Sequence, residues 1–322
     1  MNKVLNIIII VLALLLVGII IYPQWQEGRT VELNIGCDPS VNATVFLVAQ
    51  NKEFFSENRI KPNFIFYENP DLMIKDFLSD SLDCALLPWP AILNLAKTYD
   101  SIYVLASALY RTSLPVDGIF VLPKAKNPIK QIKDLKNKRL GYSPLFKNII
   151  NVLIYNLGFK PQEVKLIELP NSELVSALKN NQVDAILVIE PERTCALNDS
   201  LVPLMMPALP KAIIGPFPGC GVVIKSAPVI QKKRFATRFK TVLDAAVTYA
   251  GANTEESRKI FLDYYKLDTI KYRTCYLPDY EKLAELNRGL IIALNAKIAE
   301  VDSSFKVVNP ERLIPQAAQF RQ

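Results

Sequence analysis

The sequence predicts an α/β protein of two doubly wound lobes joined by a two-strand hinge, preceded by an N-terminal transmembrane helix. Three observations predict it. They are an apolar run near the amino terminus, a strand–helix pattern that occurs twice in the same order, and two extended segments linking the copies. At 322 residues, half of them apolar, the chain is long enough for two packed lobes.

The apolar run comes first. Val4 to Tyr22 is interrupted only by Asn6 and Gly18, with Lys3 before it and no charge until Glu27. As a helix it would span about 28 Å, close to the hydrocarbon thickness of a bilayer. It ends Ile19-Ile20-Ile21-Tyr22-Pro23-Gln24-Trp25, without the small residues of a cleavage site. An uncleaved anchor over residues 1–26 is therefore expected ahead of a cleaved signal, and Tyr22 and Trp25 suit the membrane–water interface. Both readings put the rest of the chain outside the cytoplasm.

The repeat follows. Its first copy opens with the strand-like Val31 to Ile35 and the turn Gly36-Cys37-Asp38-Pro39; the second opens with Lys138 to Leu140 and Gly141-Tyr142-Ser143-Pro144. A helical pattern comes next in each, Val45 to Phe55 and Ile149 to Leu157, then Lys61-Pro62 and Lys160-Pro161. Second strands, Phe64 to Glu68 and Val164 to Glu168, lead to short helices at Asp71 to Leu78 and Ser172 to Leu178. Third strands begin at Asp83 and Asp184, and each reaches a proline seven residues on, Pro90 and Pro191. Near-continuous apolar strands between helices imply parallel sheets covered on both faces. Right-handed crossovers make each copy a small doubly wound lobe, which binds ligands beyond the carboxyl ends of its strands.

Leu105 to Leu122 reads as the crossing from the first copy to the second, and Gly215 to Ile224 as the return. The tail carries helical patterns over Val229 to Tyr249, Thr254 to Tyr264 and Tyr280 to Ala299, expected to complete the first lobe. The expected division is residues 31–113 with 224–322 for the first lobe and 114–223 for the second.

Composition narrows the chemistry. There is no histidine, which removes Ser-His-Asp and Cys-His catalysis and His-ligated zinc. Cys37, Cys84, Cys195, Cys220 and Cys275 lie far apart, never form CxxC, and suggest neither a metal site nor a disulfide framework. The net charge of +7 is spread without a basic run, which argues against nucleic acid as a partner. No cofactor is expected.

The repeat puts Trp89 and Glu190 at equivalent places, one residue before matching prolines. Trp89 offers an apolar wall for a ligand, or core filling. Glu190 offers hydrogen-bond acceptors to a ligand, or a helix cap paired with Arg193. Arg111, in the first crossing, offers a planar fork to an anionic group, or a surface charge at the hinge.

With these residues in view, the chain resembles the nitrate/sulfonate/taurine-type substrate-binding proteins of ABC importers, which have the type II periplasmic binding fold. The likeness covers roughly residues 33–249. It rests on Val48-Ala49-Gln50-Asn51-Lys52-Glu53-Phe54-Phe55, on Ile132-Lys133-Asp134-Leu135-Lys136-Asn137-Lys138-Arg139-Leu140-Gly141, and on Val183-Asp184-Ala185 followed by Glu190-Pro191. Asn137, Ser79-Asp80-Ser81 and Asn180-Asn181-Gln182 stand where the family has glycine-containing turns; Asn and Asp tolerate positive φ next best. The family's lipid-anchoring Cys is missing. The resemblance implies ligand contacts from Ser40, Asn42 and Thr44 after the first strand, and from Ser143, Leu145, Phe146 and Lys147 after its counterpart. It also implies a non-enzymatic protein that captures a small polar or anionic organic solute and delivers it to an ABC permease and its ATPase, with the binding lobes monomeric. The alternatives are a membrane-tethered sensor and an enzyme on the same fold.

Overall fold

The chain order of strands and helices follows the repeat closely. The computed structural model describes residues 8, 11, 12, 16, 29–124, 128–227, 233–316 and 320. The first copy folds as β1 (Val31–Cys37), α1 (Thr44–Asn51), β2 (Ile60–Phe66), α2 (Pro70–Leu78) and β3 (Cys84–Pro88). After α3 (Trp89–Leu95), β4 (Ile102–Tyr110) and β5 (Asp117–Val121) make the first crossing. The second copy is β6 (Arg139–Tyr142), α4 (Ile150–Asn156), β7 (Lys165–Glu168), α5 (Asn171–Lys179) and β8 (Ala185–Ile189). Then come α6 (Glu192–Asn198), β9 (Val202–Met205), the return strand β10 (Phe217–Lys225), α7 (Lys233–Ala252), α8 (Thr254–Tyr264), β11 (Asp279–Lys282) and α9 (Arg288–Val301).

Two sheets result, ordered β2-β1-β3-β10-β4-β11 and β7-β6-β8-β5-β9. In each, the three strands of a repeat copy run parallel, and a strand of the opposite sense borders the third. Each bordering strand belongs to a crossing, so the chain passes from one sheet to the other twice.

The repeated aspartates explain why the copies share a pattern. Asp83 Oδ2 accepts from the backbone N–H of Asn34 at 2.9 Å, and Asp184 Oδ2 from that of Arg139 at 2.8 Å. Each carboxylate ties the start of a third strand to the first strand of its own sheet. The glycine-poor turns survive as expected. Asp80, Asn137 and Asn181 adopt φ of 63°, 61° and 57°, the left-handed region that Asn and Asp enter at modest cost.

Three expectations are corrected. Lys61-Pro62 lies inside β2, not before it; β2 is an edge strand, where a missing N–H leaves no ladder bond unmade. The lobe boundary expected between residues 223 and 224 falls within β10, which pairs with β3 and β4 along its length and so lies wholly in the six-stranded sheet. The helix expected over Tyr280 to Ala299 starts as β11, which Asp279–Lys282 form by pairing with β4; α9 begins only at Arg288, after Asn287 Oδ1 accepts from Leu290 N–H at 3.1 Å.

The tail packs on the first copy. The Phe54 ring meets Tyr249 and Phe66 meets Tyr265, while Lys52 pairs with Glu256. Buried Leu33, Ile35, Phe46, Phe239 and Phe261 fill this side, and Phe120, Leu174, Leu178, Ile186 and Val188 fill the other. Among the described residues no helix is long and apolar enough to cross a membrane. The run expected to anchor the chain lies outside the described residues save for Ile8, Val11, Leu12 and Leu16.

Candidate functional site

Residues that follow β1 and β3 of one sheet and β6 of the other line a single narrow gap, with both crossings at its side. Asn42, Pro88 and Pro90 come from the first copy, Leu145, Phe146 and Ile149 from the second, and Tyr110, Phe217, Gly219 and Cys220 from the crossing strands β4 and β10. The space between them admits about one water, so the lobes are closed on each other.

A buried polar chain runs along the first-lobe wall. The Tyr110 hydroxyl donates to Asn42 Oδ1 at 2.9 Å, Asn42 Nδ2 donates to Asp38 Oδ2 at 3.3 Å, and the Ser40 hydroxyl donates to the same oxygen. Asp38 is fully buried, and burial pushes its carboxyl up to about 6 against the pull of Ser40 and Asn42. Tyr110 is held against Gly219, where an added Cβ would come within 2.2 Å of its ring, so only glycine fits there.

Both capping serines behave alike. Ser40 Oγ accepts from Asn42 N–H at 3.2 Å, and Ser143 Oγ from Leu145 N–H at 3.3 Å, starting the turns that carry Asn42 and Phe146 to the gap. Of the expected site residues, the structure thus brings together Ser40, Asn42, Ser143, Leu145 and Phe146. Thr44 is buried nearby, with its hydroxyl donating to Val41 O at 2.7 Å, a bond internal to the helix start.

Three expected residues stand elsewhere. Trp89 fills the core of the six-stranded sheet, fully buried, with Nε1 donating to Ser107 Oγ at 2.8 Å; the prolines on either side reach the gap instead. Arg111 is about half exposed and pairs with Asp279 on β11, on a separate groove, because Tyr110 takes the inward direction and its neighbour on an extended strand must point away. Lys147 pairs with Asp71 at the surface. No Lys or Arg is among the residues lining the gap, so neither Arg111 nor Lys147 takes the ligand contact expected of it there.

Glu190 takes its structural role. Its carboxylate accepts from Arg193 Nε at 2.6 Å, from Thr194 N–H at 3.0 Å and Oγ1 at 2.9 Å, and from the backbone N–H of Tyr276 at 3.1 Å. Burial raises it to about 7 against the pull of Arg193. Arg193, itself buried, also donates to Thr274 O and stacks over the Tyr276 ring. The segment from Lys271 to Tyr276 hangs between α8 and β11 of the first lobe, so these bonds cross the lobes. Asn198 Nδ2 to Lys271 O at 2.9 Å and Asn94 Nδ2 to Asn148 Oδ1 at 2.7 Å cross them too.

Sequence reasoning missed Asp38, Tyr110 and Asp117. Asp117 is fully buried, with Oδ2 accepting from Ala208 and Leu209 N–H at 3.2 and 2.8 Å, and burial pushes it up to about 6. The available signal was a carboxylate in an otherwise apolar stretch at each lobe's turn or strand start. Among the described residues no group of three or more His, Cys, Asp or Glu is placed to hold a metal ion.

Residues 40–257, two thirds of the chain, match the model of the NMT1/THI5-like family. The chain belongs to the NMT1/THI5-like family. It is 26% identical over 231 residues, 68% of each chain, to a protein of Haemophilus influenzae named a putative thiamine biosynthesis protein. Two solved structures share its fold. One is the ligand-binding component of an ABC-type import system from Staphylococcus aureus with zinc bound (TM-score 0.72, 15% identity, 90% of this chain and 98% of that one). The other is the periplasmic aliphatic sulphonate-binding protein of Escherichia coli (TM-score 0.68, 15% identity, 90% and 99%). At such identity the likeness shows the two-lobed periplasmic-binding-protein fold.

Proposed function

We propose that this family member is an extracytoplasmic solute-binding protein that closes its lobes on a small polar organic solute and delivers it to an ABC permease and its ATPase. The observation that carries the reading is the gap lined by Asn42, Phe146 and Tyr110, one residue from each lobe and one from the crossing between them. A site divided in this way exists only when the lobes are together, so a solute that bridges them favours closure by its differential contacts. The two solved structures of like fold, an import component and a sulphonate-binding protein, support the same reading. The apolar run from Val4 to Tyr22 supports attachment to the cytoplasmic membrane, with the lobes outside.

Binding rather than catalysis is favoured by a sequence without histidine and by ionisable groups that are committed to structural bonds. The relative named for thiamine biosynthesis favours a second reading, an enzyme on this fold. Thermal-shift screening of the full chain against sulfonates, nitrate, carboxylates and pyrimidines tests both. The proposal expects one class to raise the melting temperature and to be recovered unchanged after incubation. Chemical conversion of a stabilising compound establishes the enzyme reading instead.

A further inference from the structure

Two carboxylates lie behind the walls of the gap, one per lobe, and each keeps an oxygen with no hydrogen-bond partner. Asp38 stands just past the carboxyl end of β1, and its Oδ2 takes the bonds from Ser40 and Asn42 while Oδ1 takes none. Asp117 pairs in register with Ile189 at the carboxyl end of β8, and its Oδ2 takes the bonds from Ala208 and Leu209 while Oδ1 takes none. Each carboxylate is one hydrogen bond behind a residue that lines the gap, Asn42 on one side and Leu209 on the other. Both are fully buried, although the majority of buried polar atoms in folded proteins find a partner.

Arg193 acts on Asp117 through its charge but gives it no hydrogen bond, since its bonds go to Glu190, Thr194, Thr274 and Met206. The walls of the gap are largely aromatic and aliphatic, with the rings of Tyr110, Phe146 and Phe217 and no basic side chain. Burying a carboxylate oxygen without a partner is costly, and a donor carrying positive charge offsets that cost more than a neutral one. Aromatic faces add to the attraction.

Resting on the proposed solute capture in this gap, we infer that the solute is a small primary organic ammonium ion, for which the lobes part further than the one-water gap seen here, and whose N–H groups bond Asp38 Oδ1 and Asp117 Oδ1 while its apolar part lies against Phe146 and Phe217. Such a guest bridges the lobes by charge-assisted bonds and so rewards closure. It also reverses the charge expected for solutes of sulfonate-type binding proteins.

Isothermal titration calorimetry on the full chain with benzylammonium, neutral benzyl alcohol and anionic benzoate tests this. Benzylammonium is expected to bind at least 100-fold more tightly than benzyl alcohol, and benzoate not at all. Asp38→Asn and Asp117→Asn are each expected to weaken benzylammonium at least tenfold and leave benzyl alcohol unchanged. Should either variant fail to fold, the wild-type chain still reports. Titrations at pH 6 in buffers of different ionisation enthalpy are expected to show proton release on benzylammonium binding, because the cation favours the ionised carboxylates. Tighter binding of benzoate, equal binding of all three, or no binding of benzylammonium overturns the inference. If benzoate or benzyl alcohol binds and Phe146→Ala weakens it, capture in the gap stands while the ammonium class falls. If bound benzylammonium is insensitive to Phe146→Ala and to both carboxylate changes, the gap is not the site and the functional proposal falls as well.

Discussion

Glu190 in the second lobe accepts a hydrogen bond at 3.1 Å from the backbone N–H of Tyr276, which belongs to a segment tethered at both ends to the first lobe. Arg193 holds the same carboxylate and reaches the carbonyl of Thr274 two residues away. The ion pair thus acts as a clasp across the closed lobes, not as a contact for a solute.

Breaking that clasp on one side leaves a buried charge unpaired. Arg193→Met is expected to cost about 3–5 kcal/mol in denaturant unfolding, whereas Glu190→Leu combined with Arg193→Met is expected to recover most of the loss. A double-mutant cycle by urea titration measures the coupling.

Trp89 is core and not pocket. Trp89→Ala is expected to cost about 3–5 kcal/mol through a large cavity and the loss of its bond to Ser107. Any solute identified by screening is expected to bind folded Trp89→Phe with unchanged affinity, checked by calorimetry.

Arg111→Ala is expected to change stability by less than about 0.5 kcal/mol, because its pairing with Asp279 is largely exposed and screened by salt. Solute affinity is expected to stay the same. A tenfold loss in calorimetry would restore Arg111 to the site.

Gly219→Ala forces the Tyr110 ring away from β10 and breaks its bond to Asn42. A loss of about 1–3 kcal/mol is expected, the range for overpacking, together with weaker solute binding. Gly158→Ala is a useful contrast. That residue has φ of 90° but open space around it, so its cost is backbone strain alone and binding stays unchanged.

The buried carboxyls make stability depend on pH in a definite direction. Asp38 and Asp117 both rise from 3.8 to about 6 on folding, so the native state holds protons that the unfolded chain has released. Their stabilising share is present below about pH 4 and is lost as pH climbs to about 6, then stays constant. Each is worth about 3 kcal/mol over that window at most. Thermal unfolding between pH 4.5 and 7 is expected to show a shallower fall for Asp38→Asn than for the wild type.

How much of this could be read from the sequence depends on what marks each feature. Asp83 and Asp184 were legible because a strand-opening carboxylate recurs at one place in each copy, and the structure gives both the same bond. Asp80, Asn137 and Asn181 were legible as turns because few residues enter positive φ. β11 was not, since four residues ahead of a helical pattern become a strand only by finding the free edge of β4. Equivalent repeat positions also misled. Trp89 and Glu190 share a place in the pattern, yet one is absorbed by its own lobe's core and the other by a clasp to the opposite lobe. Asp38 and Asp117 lacked any spacing signal, because what distinguishes them is burial without a full set of partners.

The central claim is that two lobes close over a solute. Pulsed electron paramagnetic resonance between spin labels on p-acetylphenylalanine at Lys75 of α2 and Ser176 of α5, exposed positions on opposite lobes, measures it most directly. The account predicts a long and a short distance in the unliganded chain, with the short one taking over when the best compound from the thermal-shift screen is added. A single distance, unmoved by a compound that demonstrably binds, would contradict it.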